Sequence, residues 1–122
     1  MKKVLMIFSV VIILSNYVIS QSTGEWKTVY SFSGSSVENT DDFIMKKNKW
    51  RIMWEAEKQY EEFYGGNVEI KLIDSEGKEE LVANTIPPDT GKTIIRKKGK
   101  FYFEVLCVLA KWKIEIQESV SK

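Results

Sequence analysis

Past residue 20 the apolar side chains of this chain recur at every second position, and few folds accept that spacing. Trp50, Ile52, Trp54 and Ala56 alternate with Arg51, Met53 and Glu55. Val68, Ile70 and Leu72 alternate with Glu69 and Lys71. Phe101, Phe103, Val105, Cys107 and Leu109 share one phase, as do Trp112, Ile114 and Ile116. Trp26, Thr28, Tyr30 and Phe32 share another, against Lys27, Val29 and Ser31. Successive side chains of a strand point to opposite faces, whereas a helix repeats about every 3.6 residues, so these runs predict half-buried strands. Phe43 with Met45, Leu81 with Ala83, and Thr93 with Ile95 mark three shorter ones.

Turn chemistry separates the runs. Ser33-Gly34-Ser35-Ser36, Lys47-Asn48-Lys49, Gly65-Gly66-Asn67 and Pro87-Pro88-Asp89-Thr90-Gly91 fall between strands. Asp74-Ser75-Glu76-Gly77 predicts a hairpin, with Gly77 free to take positive φ, and Lys98-Gly99-Lys100 predicts another. Only residues 55–63 could support a helical turn, and Gly65-Gly66 stops it. About eight short strands at near-regular spacing predict an all-β antiparallel sandwich, loosely immunoglobulin-like. Residues 101–109 turn apolar on both faces towards their end, through Leu106, Val108 and Leu109, as a central strand covered on both sides would.

The first twenty residues follow a different rule. Lys2 and Lys3 precede an apolar run over residues 4–14, then Ser15-Asn16-Tyr17 and Val18-Ile19-Ser20. This is the layout of a secretory signal peptide cut after Ser20. The run is short for a membrane span, which needs roughly 20 apolar residues. The expected organisation is therefore a signal over residues 1–20 and one sandwich domain over 21–122. The protein would be secreted or periplasmic, and membrane-bound only if the signal is retained.

Removing the signal takes away Lys2 and Lys3 and no acid, so 18 basic and 17 acidic residues become 16 and 17. A chain this balanced has no global attraction to nucleic acid or to an anionic membrane. Cys107 is the only cysteine, which leaves no internal disulfide, and its phase predicts a buried thiol.

The quoted residues also carry a resemblance. Phe32-Ser33-Gly34, residues 40–44, Lys49-Trp50-Arg51-Ile52-Met53-Trp54, Gly99-Lys100-Phe101-Tyr102-Phe103-Glu104-Val105 and Trp112-Lys113-Ile114-Glu115-Ile116 resemble small exported bacterial β-sandwich domains of unassigned function. The resemblance implies a fold and a compartment. It carries no site residues.

Several chemistries fail on composition. The chain has no histidine, so neither a Ser-His nor a Cys-His pair can form, and a zinc site lacks ligands. Pro87-Pro88-Asp89-Thr90-Gly91-Lys92-Thr93 superficially resembles a phosphate loop. Ile86 stands where its first glycine belongs, Asp89 would oppose phosphate, and Thr93-Ile94-Ile95 continues as strand rather than helix. Glu55, Glu57, Glu61 and Glu62, with Asp41 and Asp42, keep a carboxylate-dependent hydrolase as a remote alternative. No cofactor or calcium-loop spacing is present.

Trp50, Trp54 and Trp112 fall in the apolar phase and are expected in the core. Tyr60, Phe63 and Tyr64 break the phase, interleaved with Glu61 and Glu62 before Gly65-Gly66. They are the candidate partner-binding residues; the competing reading folds the loop over one end of the sandwich with Phe63 as a plug. Arg96, Lys97, Lys98 and Lys100 are the weaker candidates, against a role in keeping a strand edge soluble. The functional expectation is an exported, non-catalytic binding module whose partner is unspecified, an envelope protein or a glycan. The alternative is a structural envelope protein that pairs through a sheet edge.

Overall fold

The structure, a computed structural model, describes residues 25–120; the expected export signal lies outside them. Thr28–Glu118 form one compact unit. Residues 25–27 and 119–120 belong to a second unit, within which the Val120 amide donates to the Glu25 carbonyl at 3.0 Å.

Among the described residues there is no helix. Nine strands follow one another: β1 (Trp26–Gly34), β2 (Glu38–Asn39), β3 (Phe43–Met45), β4 (Trp50–Lys58), β5 (Asn67–Asp74), β6 (Glu79–Thr85), β7 (Asp89–Ile95), β8 (Gly99–Val108) and β9 (Ala110–Ser119). One sheet has the order β1-β9-β4-β7. The other has the order β2-β8-β5-β6, with β3 also paired to β8. The pairs with recorded registers are antiparallel. The strand beyond the eight expected is β2, two exposed polar residues with no periodic signal.

The core lies between the sheets. Trp50, Ile52 and Ala56 of β4 and Trp112, Ile114 and Ile116 of β9 face Val68, Ile70 and Leu72 of β5 and Phe101, Phe103, Val105 and Cys107 of β8. Phe43 links the aromatic part, with its ring 5.3 Å from Phe103 and 5.8 Å from Trp50. The Cys107 thiol donates to the Ala110 carbonyl at 3.1 Å, and burial raises its pKa.

Five expectations need correction. The Lys98-Gly99-Lys100 segment is no hairpin: β7 belongs to one sheet and β8 to the other, so it carries the chain between sheets. Leu81 does not share a face with Ala83. The β5–β6 register shifts after Ile70, which pairs with Ala83 while Lys71 pairs with Leu81. The extra residue, Val82, turns inward and Leu81 is left 57% exposed, since a bulge reverses the alternation beyond it. Leu109 leaves the phase of β8 because it is the turn to β9, with φ of 54°. In β1, Val29 and Phe32 both pack on the core although alternation would separate them, while Tyr30 is exposed. That strand lies at a sheet edge, bonded along one side only, so no second ladder enforces its phase. Finally, Trp54 is only partly buried: its indole lies over Gly91 of the edge strand β7, and a Cβ at Gly91 would come within 2.4 Å of the ring. That contact explains the glycine in the apparent phosphate loop.

Candidate functional site: the aromatic end of the sandwich

Antiparallel strands bring their connections to two ends. Lys58 at the close of β4 pairs with Ala110 at the start of β9, and Asn67 at the start of β5 pairs with Val108 at the close of β8. The link 59–66 and the Leu109 turn therefore meet at one end. The Gln59 amide donates to the Leu109 carbonyl at 3.4 Å. Gly66 has φ of 84°, and a Cβ there would approach the Val108 carbonyl oxygen to 2.6 Å. Only glycine accepts both the left-handed backbone and that close approach.

The link is internally tied. The Phe63 amide donates to the Tyr60 carbonyl at 3.1 Å, closing a turn. Lys58 Nζ donates to the Glu61 carbonyl at 3.3 Å and stands 4.2 Å from the centroid of the Tyr64 ring. The ammonium is drawn to the negative face of the ring, which restrains a side chain that otherwise projects into solvent.

This scaffold leaves the rings outward. Tyr60 is 54% exposed, Phe63 45% and Tyr64 84%. Phe63 is not a plug: it is exposed and stands outside the core cluster. Val108 and Leu109 of that turn are exposed too. The doubly apolar close of β8 thus belongs to a strand that is central in its sheet, yet Leu106 and Val108 remain open to solvent on the outer face. Sequence reasoning read those two residues as covered, because pattern alone cannot distinguish a covered face from one awaiting a partner.

The basic candidates lie at the opposite end. Trp50 Nε1 donates to the Lys97 carbonyl at 2.7 Å, and Lys97 Nζ lies 3.8 Å from the Asp74 carboxylate. Lys100 pairs with Asp42 at 3.6 Å. The Asp74 carboxyl lies below its ordinary range, held there first by the Lys78 amide and further by the Glu76 amide and the Lys97 and Lys78 charges, while desolvation opposes them. Arg96 and Lys98 are exposed.

The acidic candidates do not converge. Glu55 lies across from Lys113, and Glu57 across from Lys111, on the outer face of the first sheet. Grooves of about 410 and 360 Å³ cross that face beside Glu55 and Lys113. Lys113 Nζ reaches Glu115 at 3.4 Å, so the face is lined with charges of both signs. No charged or polar residue is buried among the described residues, and no three acidic, histidine or cysteine side chains are grouped to hold a metal. No protein-family profile, curated protein or solved structure matches the chain.

Proposed function

We propose that the protein is an exported, non-catalytic binding module whose contact surface is the aromatic link 59–66. The observation that carries this reading is the exposure of Tyr60, Phe63 and Tyr64 on a link whose backbone is fastened to the 108–109 turn. Rings held outward on a fixed scaffold offer large contact area at little cost in conformational entropy, and such aromatic anchors dominate many interfaces. Glu61 and Glu62 supply hydrogen-bond acceptors beside the rings. Export rests on Lys2, Lys3 and the apolar run that follows them. The partner is a component of the envelope, a protein or a glycan.

The test is retention of envelope components on the immobilised protein. The double variant Tyr60→Ser/Tyr64→Ser should weaken retention by about 2 kcal/mol or more, since it removes two anchors. Retention equal to that of the wild type would refute the assignment.

A further inference from the structure

The outer strands of the two sheets each leave one side of the backbone unbonded, and such an edge can template a further strand. Three of these edges are blunted. On β6 the bulge at Val82 breaks the straight ladder. The edge beside β8 is split into β2 and β3, and between them the Phe103 amide donates to the Thr40 hydroxyl at 2.9 Å, a side-chain oxygen in place of a carbonyl. At β1 the Tyr30 hydroxyl donates to the Ile44 carbonyl at 3.4 Å, and the Tyr30 ring lies 5.4 Å from that of Phe43, so β3 closes that flank.

The edge of β7 is different. It pairs with β4 without interruption from Asp89 to Ile95, and no bulge or proline falls within it. Trp54 lies opposite Gly91 on the core side, and its indole covers that glycine while staying only partly buried. Both residues line the groove of about 410 Å³. Lys92 is the one cation of the strand, and a lysine on an edge opposes pairing unless a carboxylate meets it.

A second copy of β7 supplies that carboxylate. Residues opposite each other in an antiparallel ladder share a face, so a two-fold pairing sets one residue opposite itself. Centred on Lys92, the ladder would oppose two ammonium groups. Centred on Gly91, it sets Thr90 opposite Lys92 of the second copy and Asp89 opposite Thr93 of the second copy. The core-side row then reads Trp54, Gly91, Gly91, Trp54. With strands about 4.8 Å apart, the two indoles meet across the axis with no side chain between them. The outer row reads Glu55, Thr90 and then Lys92 of the second copy. Among the described residues neither Glu55 nor Lys92 forms an ion pair, and in this register the lysine reaches over Thr90 to the carboxylate. The interface is isologous, so each contact occurs twice.

The geometry points to β7 as a dimerisation edge: two copies of this chain pair antiparallel through residues 89–93, about Gly91, and join their four-stranded sheets into one. The antiparallel pairing sends the two aromatic links to opposite ends of the dimer, and the inference stands whether or not those links have a partner.

The test reads the register directly. Thr90→Cys and Lys92→Cys are made separately in the full chain, held in a mild non-ionic detergent so that the apolar run 4–14 does not associate. Opposite residues have Cα atoms about 4.5–5.5 Å apart, within reach of a disulfide, whereas position 90 lies more than about 7 Å from position 90 of the second copy. Under mild oxidation a mixture of the two variants should form the mixed disulfide at least about ten-fold faster than either variant alone links to itself. Sedimentation of the unsubstituted chain should show a monomer–dimer equilibrium. Lys92→Glu, at an exposed position, should weaken it about five-fold or more, and Glu55→Lys/Lys92→Glu should restore most of the loss, with melting temperatures showing that each variant is folded. Tyr60→Ser/Tyr64→Ser should leave the equilibrium unchanged. Self-linked products that equal the mixed one, a chain that stays monomeric at about 1 mM, or a dimer that Lys92→Glu does not weaken would each overturn the inference.

Discussion

The two ends of the sandwich are secured by the same device and present different chemistry. At the basic end Trp50, fully buried, uses its indole N–H to hold the Lys97 carbonyl. At the aromatic end Trp112, 2% exposed, donates to the Ser36 carbonyl at 3.2 Å. In each case a ring that belongs to the core reaches out with its single polar atom and fixes a connection. What the connections carry then differs. One set holds cations among carboxylates, with Lys97 beside Asp74 and Lys47 beside Glu118, while the other holds exposed rings beside Glu61 and Glu62. The comparison teaches that the core determines where the loops stand, while the loop residues remain free to vary in chemistry.

The largest effect should come from removing either anchor. Trp50→Ala or Trp112→Ala each leaves a large cavity and an unpaired carbonyl, and should destabilise by about 3–5 kcal/mol. Denaturant unfolding measures this. If one of the two variants melts close to the wild type, the equivalence of the ends is broken, because that tryptophan does not secure its end.

A smaller effect is specific to the aromatic end. Gly66→Ala forces a side chain into a left-handed backbone and against the Val108 carbonyl, and should cost about 1–3 kcal/mol. Gly77→Ala shares the positive φ, but its Cβ would meet nothing within 4 Å, so it should cost less. Equal losses at the two positions would show that backbone strain alone accounts for Gly66.

The basic end has its own probe in pH. The folded Asp74 carboxyl titrates below the ordinary value of 3.8, so its charged form favours the folded state. That contribution is complete above 3.8 and disappears as the pH falls through the lower folded value. Asp74→Asn should therefore lower stability near neutrality and flatten its dependence on pH in the acid range. An unchanged acid profile would show that the amides of Glu76 and Lys78 hold the turn without the charge.

The smallest effect on stability is expected from the rings themselves. Tyr60→Ser/Tyr64→Ser should move the melting temperature by no more than about 3 °C, as surface substitutions do. A large fall would return the link to the core.

Much of this was legible before the structure. On strands bonded on both sides, period two located Ile52, Ile70, Phe103 and Ile114 in the core; Trp54 is the exception, its indole drawn over Gly91 of the edge strand. The pattern failed where a local event altered the phase: the extra residue at Val82, the turn at Leu109, and the edge strand with Val29 and Phe32. It could not distinguish a hairpin from a passage between sheets at Lys98, because both need a tight polar turn. The exposure of Tyr60 and Tyr64 followed from their break in phase. The approach of Lys46, Lys47 and Lys49 to Arg96 and Lys98 did not emerge, because the two segments are remote in sequence and only the pairing of Trp50 with Ile95 brings them together.

The claim that the aromatic end makes the contact is tested most directly by comparing variants of the two ends in one assay. The Tyr60→Ser/Tyr64→Ser protein and the Lys46→Gln/Lys49→Gln/Arg96→Gln/Lys98→Gln protein are each measured for retention of envelope components. The account predicts that the tyrosine variant loses retention and that the charge variant keeps it. Retention kept by the tyrosine variant, or lost by the charge variant, with the fold intact in both, would contradict it.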